Sequence, residues 1–347
     1  MLSHELLPAA LVASALAPSV LLLWLVVIAD SRPEPPRVVL ASVFFGVLSA
    51  VVAALLELSL QKLIPLASGT WVAAYQNAFL FAAIPEEVLK VSIIAILALR
   101  ARDFDEPMDG VVYGAAVGLG FAALENVGYL AGTGPNWGGL AIIRGVLSVP
   151  FHGALGAIAG AYIARARFGG ALGGHAHNPS SRNHLMIKAW LIPMLLHGLF
   201  DGALFGIAKT TPAALQTPSG VMMVVLAAIS APVVGFGSII YAAVLARRVA
   251  RHQKAWLHAK RLPVAHWRDV WAECLIGVGA SFVALALIIA GSAGTRFIGT
   301  GFLALTVGMA WRSGRHLNST AKRRHGEIVA APLPLPPIPT IPPPPAA

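Results

Sequence analysis

The chain has 347 residues, of which 57% are hydrophobic and 12% are charged, and its mean hydropathy is +0.75. These side chains are too apolar to cover a water-soluble globule of this size, so the composition excludes a soluble protein and predicts a polytopic membrane protein. The formal net charge of +10 does not indicate nucleic-acid binding, because the basic residues are not gathered on a soluble domain.

Nine apolar runs are long enough to cross about 30 Å of hydrocarbon, which requires about 20 helical residues. In chain order they are 6–29, 38–60, 73–99, 108–130, 140–164, 185–207, 220–246, 272–291 and 295–311. We interpret the first run as a retained span rather than a cleaved signal peptide, because residues 1–8 contain no Lys or Arg. The expected fold class is all-α, an integral membrane bundle of about nine transmembrane helices.

The basic residues alternate between the two sets of loops that such a bundle would have. Nineteen of the 25 Lys and Arg residues fall in the loops 30–37, 100–107, 165–184 and 247–271 and in the tail from residue 312. The opposite set of loops holds only Lys62, Lys209 and Arg296. Because short cytoplasmic loops collect basic residues, this pattern predicts an outer N-terminus and a cytoplasmic C-terminus.

No loop is long enough to fold as a separate domain. We therefore expect one membrane domain over residues 1–330, followed by a tail at 331–347 that holds nine of the 25 prolines. Such a composition is typical of an extended, disordered segment.

Four of the predicted spans carry ionisable side chains at least five residues from either end, in the part from which hydrocarbon normally excludes them. They are Glu86, Glu87 and Lys90 in the third span, Glu125 in the fourth, His152 in the fifth, and His197 and Asp201 in the sixth. An ionised carboxylate at the bilayer centre costs about 2.5–3.5 kcal/mol, so such residues usually mark a functional site. We interpret these residues as the parts of one intramembrane hydrolytic site.

Helical spacing supports this interpretation and also offers simpler ones. Glu86 and Lys90 are four residues apart and share a helix face, as do His197 and Asp201. Each could equally be a structural contact, and Glu125 could simply pair with Arg144. Counting 1.5 Å per residue from the outer ends places the ionisable groups between the midplane and the outer surface. We therefore expect water to enter from outside.

Four short motifs occur in a fixed order along these spans. They are EEVLK (86–90), FAALEN (121–126), FHG (151–153) and HGLFD (197–201). Together they resemble the PrsW family of intramembrane proteases over about residues 75–207. That family is similar to the type II CAAX prenyl endopeptidases and to the non-catalytic scaffold subunit of gamma-secretase.

The resemblance implies a protease of the bacterial plasma membrane that cuts membrane-anchored proteins such as anti-sigma factors. It also implies that Glu86 and Glu87 are the catalytic pair, with Glu125, His152, His197 and Asp201 as the remaining polar site. We group Lys90 with the catalytic residues because it can reach either glutamate.

Two mechanisms remain open. In the first, Glu125, His152 and His197 bind a zinc ion and one of the two glutamates is the base, although the sequence contains no HExxH motif. In the second, which resembles the CAAX endopeptidases, a glutamate activates water without a metal, and His197 and Asp201 stabilise the oxyanion.

Two other classes of function are alternatives. Glu86, Glu125, His152 and Asp201 could form the relay of a proton- or ion-coupled transporter, or the protein could be a non-catalytic scaffold for other membrane helices. Serine and aspartyl proteolysis rank below both, because GASF (279–282) has no histidine in the spans around it and a GxGD motif is absent.

Overall fold

A computed structural model describes residues 6–30, 34–67, 69–101, 103–133, 137–168 and 179–259, and all regular structure in these ranges is helical. The α-helices are α1 (Leu6–Ile28), α2 (Pro36–Leu63), α3 (Thr70–Gln76), α4 (Ile84–Arg100), α5 (Pro107–Gly132), α6 (Trp137–Ile143), α7 (Val149–Phe168), α8 (Pro179–Lys209) and α9 (Pro218–Ala259). Two π-helical segments complete the path: π1 (Asn77–Ala83) joins α3 to α4, and π2 (Arg144–Ser148) joins α6 to α7. The predicted spans 272–291 and 295–311 and the proline-rich tail lie outside the described residues.

Six predicted spans are confirmed as apolar helices long enough to cross a membrane. Within the described residues these are Ala10–Ile28, Pro36–Leu63, Pro107–Gly132, Trp137–Phe168, Ser180–Lys209 and Pro218–Gln253. The predicted third span, 73–99, corresponds to α3, π1 and α4 and is not among the six. It is divided by the π-helical segment, and α4 carries three buried charged side chains. The fold is therefore a multi-pass helical membrane bundle.

The centre of the bundle is the contact between α5 and α7, which are buried over most of their length. A Cβ atom at Gly114 would lie 2.2 Å from the carbonyl oxygen of Gly156, and one at Gly156 would lie 2.1 Å from that of Gly114. The two backbones therefore touch only because neither residue has a side chain. Small residues serve this purpose in membrane helices, where close packing replaces the hydrophobic driving force.

A different contact joins α8 to α3 and π1. Aromatic rings from α3 and π1 lie over a row of glycines on α8, with Phe79 at Gly198, Tyr75 at Gly202 and Trp71 at Gly206. The small-residue spacing on α8 thus accommodates rings rather than a second glycine-rich helix. The first of these glycines, Gly198, directly follows His197. The packing of the rings therefore also sets the position of His197 along the helix axis relative to α4.

Buried polar groups join α1, α2, α5 and α9 at one end of the bundle. The Gln253 side chain donates hydrogen bonds to Asp30 at 3.0 Å and Glu106 at 2.7 Å, and it accepts one from the backbone of Met108 at 2.8 Å. The Tyr113 hydroxyl donates to Glu34. Oxygen atoms of Asp30, Glu34 and Asp109 also lie within 4.8 Å of one another there.

Candidate active site

Glu86 and Glu87 lie in the first turn of α4, where π1 ends. Pro85 precedes them in a helix that continues directly from π1, and because proline has no backbone N–H it interrupts the helical hydrogen bonds at this junction. Single π-helical turns occur frequently at functional sites because they change the direction of the side chains that follow. The Glu87 side chain is 1% exposed, whereas that of Glu86 is 11% exposed.

The Lys90 ammonium lies between these glutamates and α7. Its Nζ is 2.6 Å from Glu87 Oε1, 3.3 Å from Glu86 Oε2 and 3.3 Å from His152 Nδ1. It also lies 4.1 Å from the centre of the Phe121 ring. One buried cation is thus shared by two carboxylates, and the closer partner is Glu87 at i−3 rather than Glu86 at i−4.

His197 of α8 connects this group to Asp201. Its Nδ1 is 2.8 Å from Glu87 Oε1, and its Nε2 is 3.1 Å from Asp201 Oδ2 and 3.8 Å from Glu86 Oε2. The predicted pair of His197 and Asp201 on one helix face is therefore present. Since carboxylate oxygens lie at both ring nitrogens, the imidazole cannot rotate without losing a hydrogen bond.

Glu125 of α5 and His152 of α7 form the opposite wall. The Nε2 atom of His152 is 2.9 Å from Glu125 Oε2, and the same oxygen is 2.8 Å from Arg144 Nη2. The pair of Glu125 with Arg144, which the sequence offers as a purely structural role, is therefore present. Glu125 contacts His152 at the same time. Glu125 binds both partners through a single oxygen.

The structure brings together all seven ionisable residues expected from the sequence. One atom from each of Glu86, Glu87, His152 and His197 lies within 4.8 Å of the others, and the two imidazole rings are perpendicular at 5.0 Å. Lys90, Glu125 and Asp201 contact members of this group directly. Four helices, α4, α5, α7 and α8, contribute to one polar cluster.

The four central residues have the donor atoms that a metal ion needs. Two carboxylates and two imidazoles suit zinc, and Glu87 Oε2 is buried with no hydrogen-bond partner among the described residues. The Lys90 ammonium lies beside three of the four, so the same atoms already accept a cation. Glu125, expected as a ligand, is not in this group, since its Oε2 is held by Arg144 and His152.

Two further residues contribute to the site, and sequence patterns hardly indicate either of them. Arg144 was expected only as a possible partner of Glu125, and Asn126 was not assigned a role. Arg144 Nε donates to Asn126 Oδ1 at 2.6 Å, and Asn126 Nδ2 donates to the carbonyl oxygen of Ala15 on α1 at 3.4 Å. The available signal was the position of Asn126 directly after Glu125 in FAALEN.

Comparisons with known proteins identify the family of the chain. A sequence profile described as PrsW family intramembrane metalloprotease matches residues 34–231. Protease PrsW of Bacillus subtilis (strain 168) is 33% identical over 193 residues, covering 55% of this chain and 81% of its own. Protease PrsW of Geobacillus kaustophilus (strain HTA426) is 33% identical over 192 residues, covering 55% and 78%.

A third relative extends the match further along the chain. Protease PrsW of Oceanobacillus iheyensis is 26% identical over 217 residues, which is 62% of this chain and 92% of its own. No solved structure matches the chain. The profile covers more than half of the 347 residues and includes all four motifs. The resemblance is therefore confirmed: the chain belongs to the PrsW family of intramembrane metalloproteases and is a multi-pass membrane protease.

Proposed function

We propose that the protein hydrolyses a peptide bond in membrane-anchored substrate proteins of the anti-sigma-factor type, using water that Glu86 activates. The observation that carries this proposal is the convergence of two glutamates and two histidines from α4, α7 and α8 within 4.8 Å. Ionisable groups so deep in a bundle are costly to bury, so they usually mark a functional site. Carboxylates and imidazoles are also the side chains that most often take the proton from an attacking water molecule.

Glu86 is the better candidate for the general base. Its nearest charged contacts are 3.3 and 3.8 Å away, and its side chain is the more exposed of the pair. Glu87 Oε1 is held at 2.6 Å by Lys90 and at 2.8 Å by His197. A base must be free to reach a water molecule and take its proton, and Glu86 has that freedom.

Glu87, His152 and His197 are the proposed metal ligands, with zinc as the metal. A bound zinc ion would supply Lewis-acid polarisation of the scissile carbonyl and would acidify water. Glu125 and Asp201 then act on the ligands: each contacts the Nε2 atom of one histidine and fixes its orientation, as carboxylates commonly do beside metal-binding histidines. Lys90 balances the charge of the two glutamates and must shift when the metal binds.

A mechanism without a metal uses the same residues differently. Lys90 would remain between the carboxylates as the permanent cation, Glu86 would take the proton from water, and His197 with Asp201 would stabilise the oxyanion. The position of Lys90 Nζ, within 3.3 Å of Glu86, Glu87 and His152, is the contact on which this second mechanism would depend. Chelation distinguishes the two mechanisms.

We also propose the complete topology of the chain: about nine spans, an outer N-terminus, a cytoplasmic C-terminus and the bacterial plasma membrane as its location. The distribution of Lys and Arg between the loops supports this orientation. The substrate would reach the site through the bilayer, and water would come from the outer face.

The experiment compares wild-type protein with E86Q and H197A in proteoliposomes that contain a single-span reporter protein. We expect both variants to insert and elute normally and to cleave the reporter at least 100-fold more slowly. Two matched controls, D105N in an exposed loop and H184A on the exposed part of α8, should cleave normally. Full cleavage by both E86Q and H197A would refute the proposal.

A second arm of the same assay tests the metal. Wild-type protein is treated with a membrane-permeant chelator, assayed, and assayed again after addition of zinc. Loss of cleavage on chelation and recovery with zinc would support the metal mechanism, whereas unchanged cleavage throughout would support the glutamate mechanism.

A further inference from the structure

Arg144 makes three directed contacts with one face of α5. Its Nη2 is 2.8 Å from Glu125 Oε2, its Nε donates to Asn126 Oδ1 at 2.6 Å, and its guanidinium carbon lies 3.9 Å from the centre of the Tyr129 ring. The side chain is only 12% exposed. A planar guanidinium with two hydrogen bonds and a stacked ring has one orientation, so the Glu125 carboxylate is held in a fixed position.

The oxygen that Arg144 holds is also the one that contacts His152. Glu125 Oε2 lies 2.9 Å from His152 Nε2. Because an ionised carboxylate can only accept hydrogen bonds, this contact places the imidazole proton on Nε2. The other ring nitrogen, Nδ1, then carries a lone pair, and it lies 3.3 Å from the Lys90 ammonium, which can only donate.

We infer that Arg144 is a positioning residue, which holds Glu125 so that His152 keeps its proton on Nε2 and presents the Nδ1 lone pair to the cluster of Lys90, Glu86 and Glu87. Arg144 itself lies on the far side of Glu125 and touches none of the reacting groups. Without the guanidinium, the carboxylate is no longer fixed at Nε2, and the Lys90 ammonium at Nδ1 is the remaining contact that opposes the other tautomer. The catalytic consequence rests on the proposed function, whereas the tautomer of His152 does not.

The start of π2 gives Arg144 this position. Arg144 is its first residue, and α7, which carries His152, begins directly after π2. The same continuous helix therefore supplies both the histidine and the cation that acts on it through α5. A lysine at this position would keep the positive charge but would lose the paired guanidinium hydrogen bonds and the stacking on Tyr129. We therefore expect R144K to retain only part of the positioning effect.

The direct test is ¹⁵N NMR of the full-length protein, labelled at histidine and reconstituted in nanodiscs without added metal. The His152 signals are identified by their loss in H152Q. In wild-type protein we expect an unprotonated Nδ1 and a protonated Nε2. In R144Q we expect a mixture of tautomers, in R144K a smaller change, and in the exposed control R182Q the wild-type pattern. An unchanged Nε2–H tautomer in R144Q would overturn the inference.

R144K keeps the test decisive if R144Q does not fold, because it leaves a cation in the buried position. A wild-type tautomer pattern in folded R144K, with the same hydrogen-exchange protection of the Nε2 proton, would show that the guanidinium contacts have no positioning effect. A mixed pattern or a less protected Nε2 proton would support the inference.

Cleavage kinetics provide the second readout. We expect R144Q to lower kcat about 10- to 100-fold, the range typical for partners that orient a metal ligand, with KM unchanged and partial recovery in R144K. If wild-type protein cleaves the reporter and R144Q cleaves it equally well, the positioning role is refuted. If wild-type protein cleaves nothing, the proposed function is refuted, and the NMR spectra still decide the role of Arg144.

Discussion

Glu86 and Glu87 are neighbours in the chain but have different surroundings. Helical geometry turns adjacent side chains by about 100°, so Glu87 faces Lys90 and His197 closely while Glu86 is the more exposed of the two. The two carboxylates therefore suit different tasks, one as a fixed ligand or charge partner and the other as a base. This difference appears only in the folded protein, because the motif EEVLK does not indicate which of the two glutamates has which role.

Because their surroundings differ, we expect the glutamine variants of these two residues, E86Q and E87Q, to have different defects. We expect E86Q to bind zinc with nearly wild-type affinity but to cleave about 10²- to 10⁴-fold more slowly, since it lacks only the base. E87Q should lose both zinc binding and cleavage. Zinc affinity is measured by calorimetry in detergent and cleavage in proteoliposomes. Equal zinc affinity in wild-type protein and E87Q would contradict the assignment of Glu87 as a ligand.

Glu34, which lies just before α2, predicts a pH dependence of stability. Burial raises the pKa of Glu34 to about 8, with further repulsion from Asp30 and Glu106 and opposing hydrogen bonds from Asp109 and Tyr113. Between about pH 4.5 and about pH 8 the folded protein therefore binds more protons than the unfolded chain. The free energy of unfolding must then fall as pH rises through this window.

The measurement is the Tm of wild-type protein and E34Q in detergent at pH 5 and pH 8. Wild-type protein should lose stability between the two values, and E34Q, which stays neutral throughout, should lose less. The same change in Tm for both proteins would show that Glu34 does not titrate in this window.

The helices of six spans could be predicted because each is a long apolar run, and the boundaries in the structure differ from the prediction by a few residues at most ends. The clearest exceptions are the end of α9, at Ala259 rather than at 246, and the start of α8, at Pro179 rather than at 185. Residues such as Arg182 and His184 are polar and exposed there, so hydropathy gives no signal for helix that extends beyond the membrane.

The π-helical segments could not be predicted. Arg144, Ser148 and His152 are spaced at steps of four, which in an α-helix would put them on one face. Because π2 has more residues per turn than an α-helix, residues four apart do not share one face there. The contacts with α5 determine the direction of the Arg144 side chain. The choice between α and π turns depends on tertiary packing, which a single sequence does not report.

The contact between α5 and α7 leads to a prediction about stability with an internal control. A Cβ atom at Gly114 would lie 2.2 Å from the Gly156 carbonyl oxygen, whereas one at Gly128 on the same helix would have no atom within 4 Å. We expect G114A to destabilise the protein by about 1–3 kcal/mol through overpacking. G128A should be neutral or stabilising by about 0.5–1 kcal/mol, because alanine favours helix.

Reversible unfolding in mixed micelles measures both variants. The prediction fails if G114A and G128A have the same free energy of unfolding. A third variant, G156A, approaches the same contact from α7 and should resemble G114A.

At the scale of the whole molecule, the convergence of the site residues could be predicted because charged side chains in apolar runs have few alternatives to meeting one another. The partners within the site could not be. The sequence predicts Glu125 as a zinc ligand, and only the folded structure shows that Arg144 and His152 share one of its oxygens. Whether Glu125 is a ligand or a partner of His152 depends on the relative positions of four helices, which a single sequence does not report.

The predicted orientation of the chain can be tested with single cysteines. In a background that lacks Cys274, a cysteine at Ala213 lies in the exposed connection between α8 and α9, and one at Asp105 lies in the exposed connection before α5. We expect an impermeant maleimide to label the first in intact cells and the second only after the membrane is broken. The reverse pattern would contradict the proposed topology.

The glycine contact at His152 has a mechanical consequence. A Cβ atom at Gly118 would lie 2.2 Å from the carbonyl oxygen of His152, so the backbone of α7 rests directly on α5 at the level of the site. No compressible side chain separates the two helices there. When the bilayer thins, thickens or changes its lateral pressure, we expect helices outside this contact, such as α1 and α9, to adjust, while the spacing between Glu125 and His152 should stay constant. The enzyme should therefore keep its turnover in lipids of different acyl length.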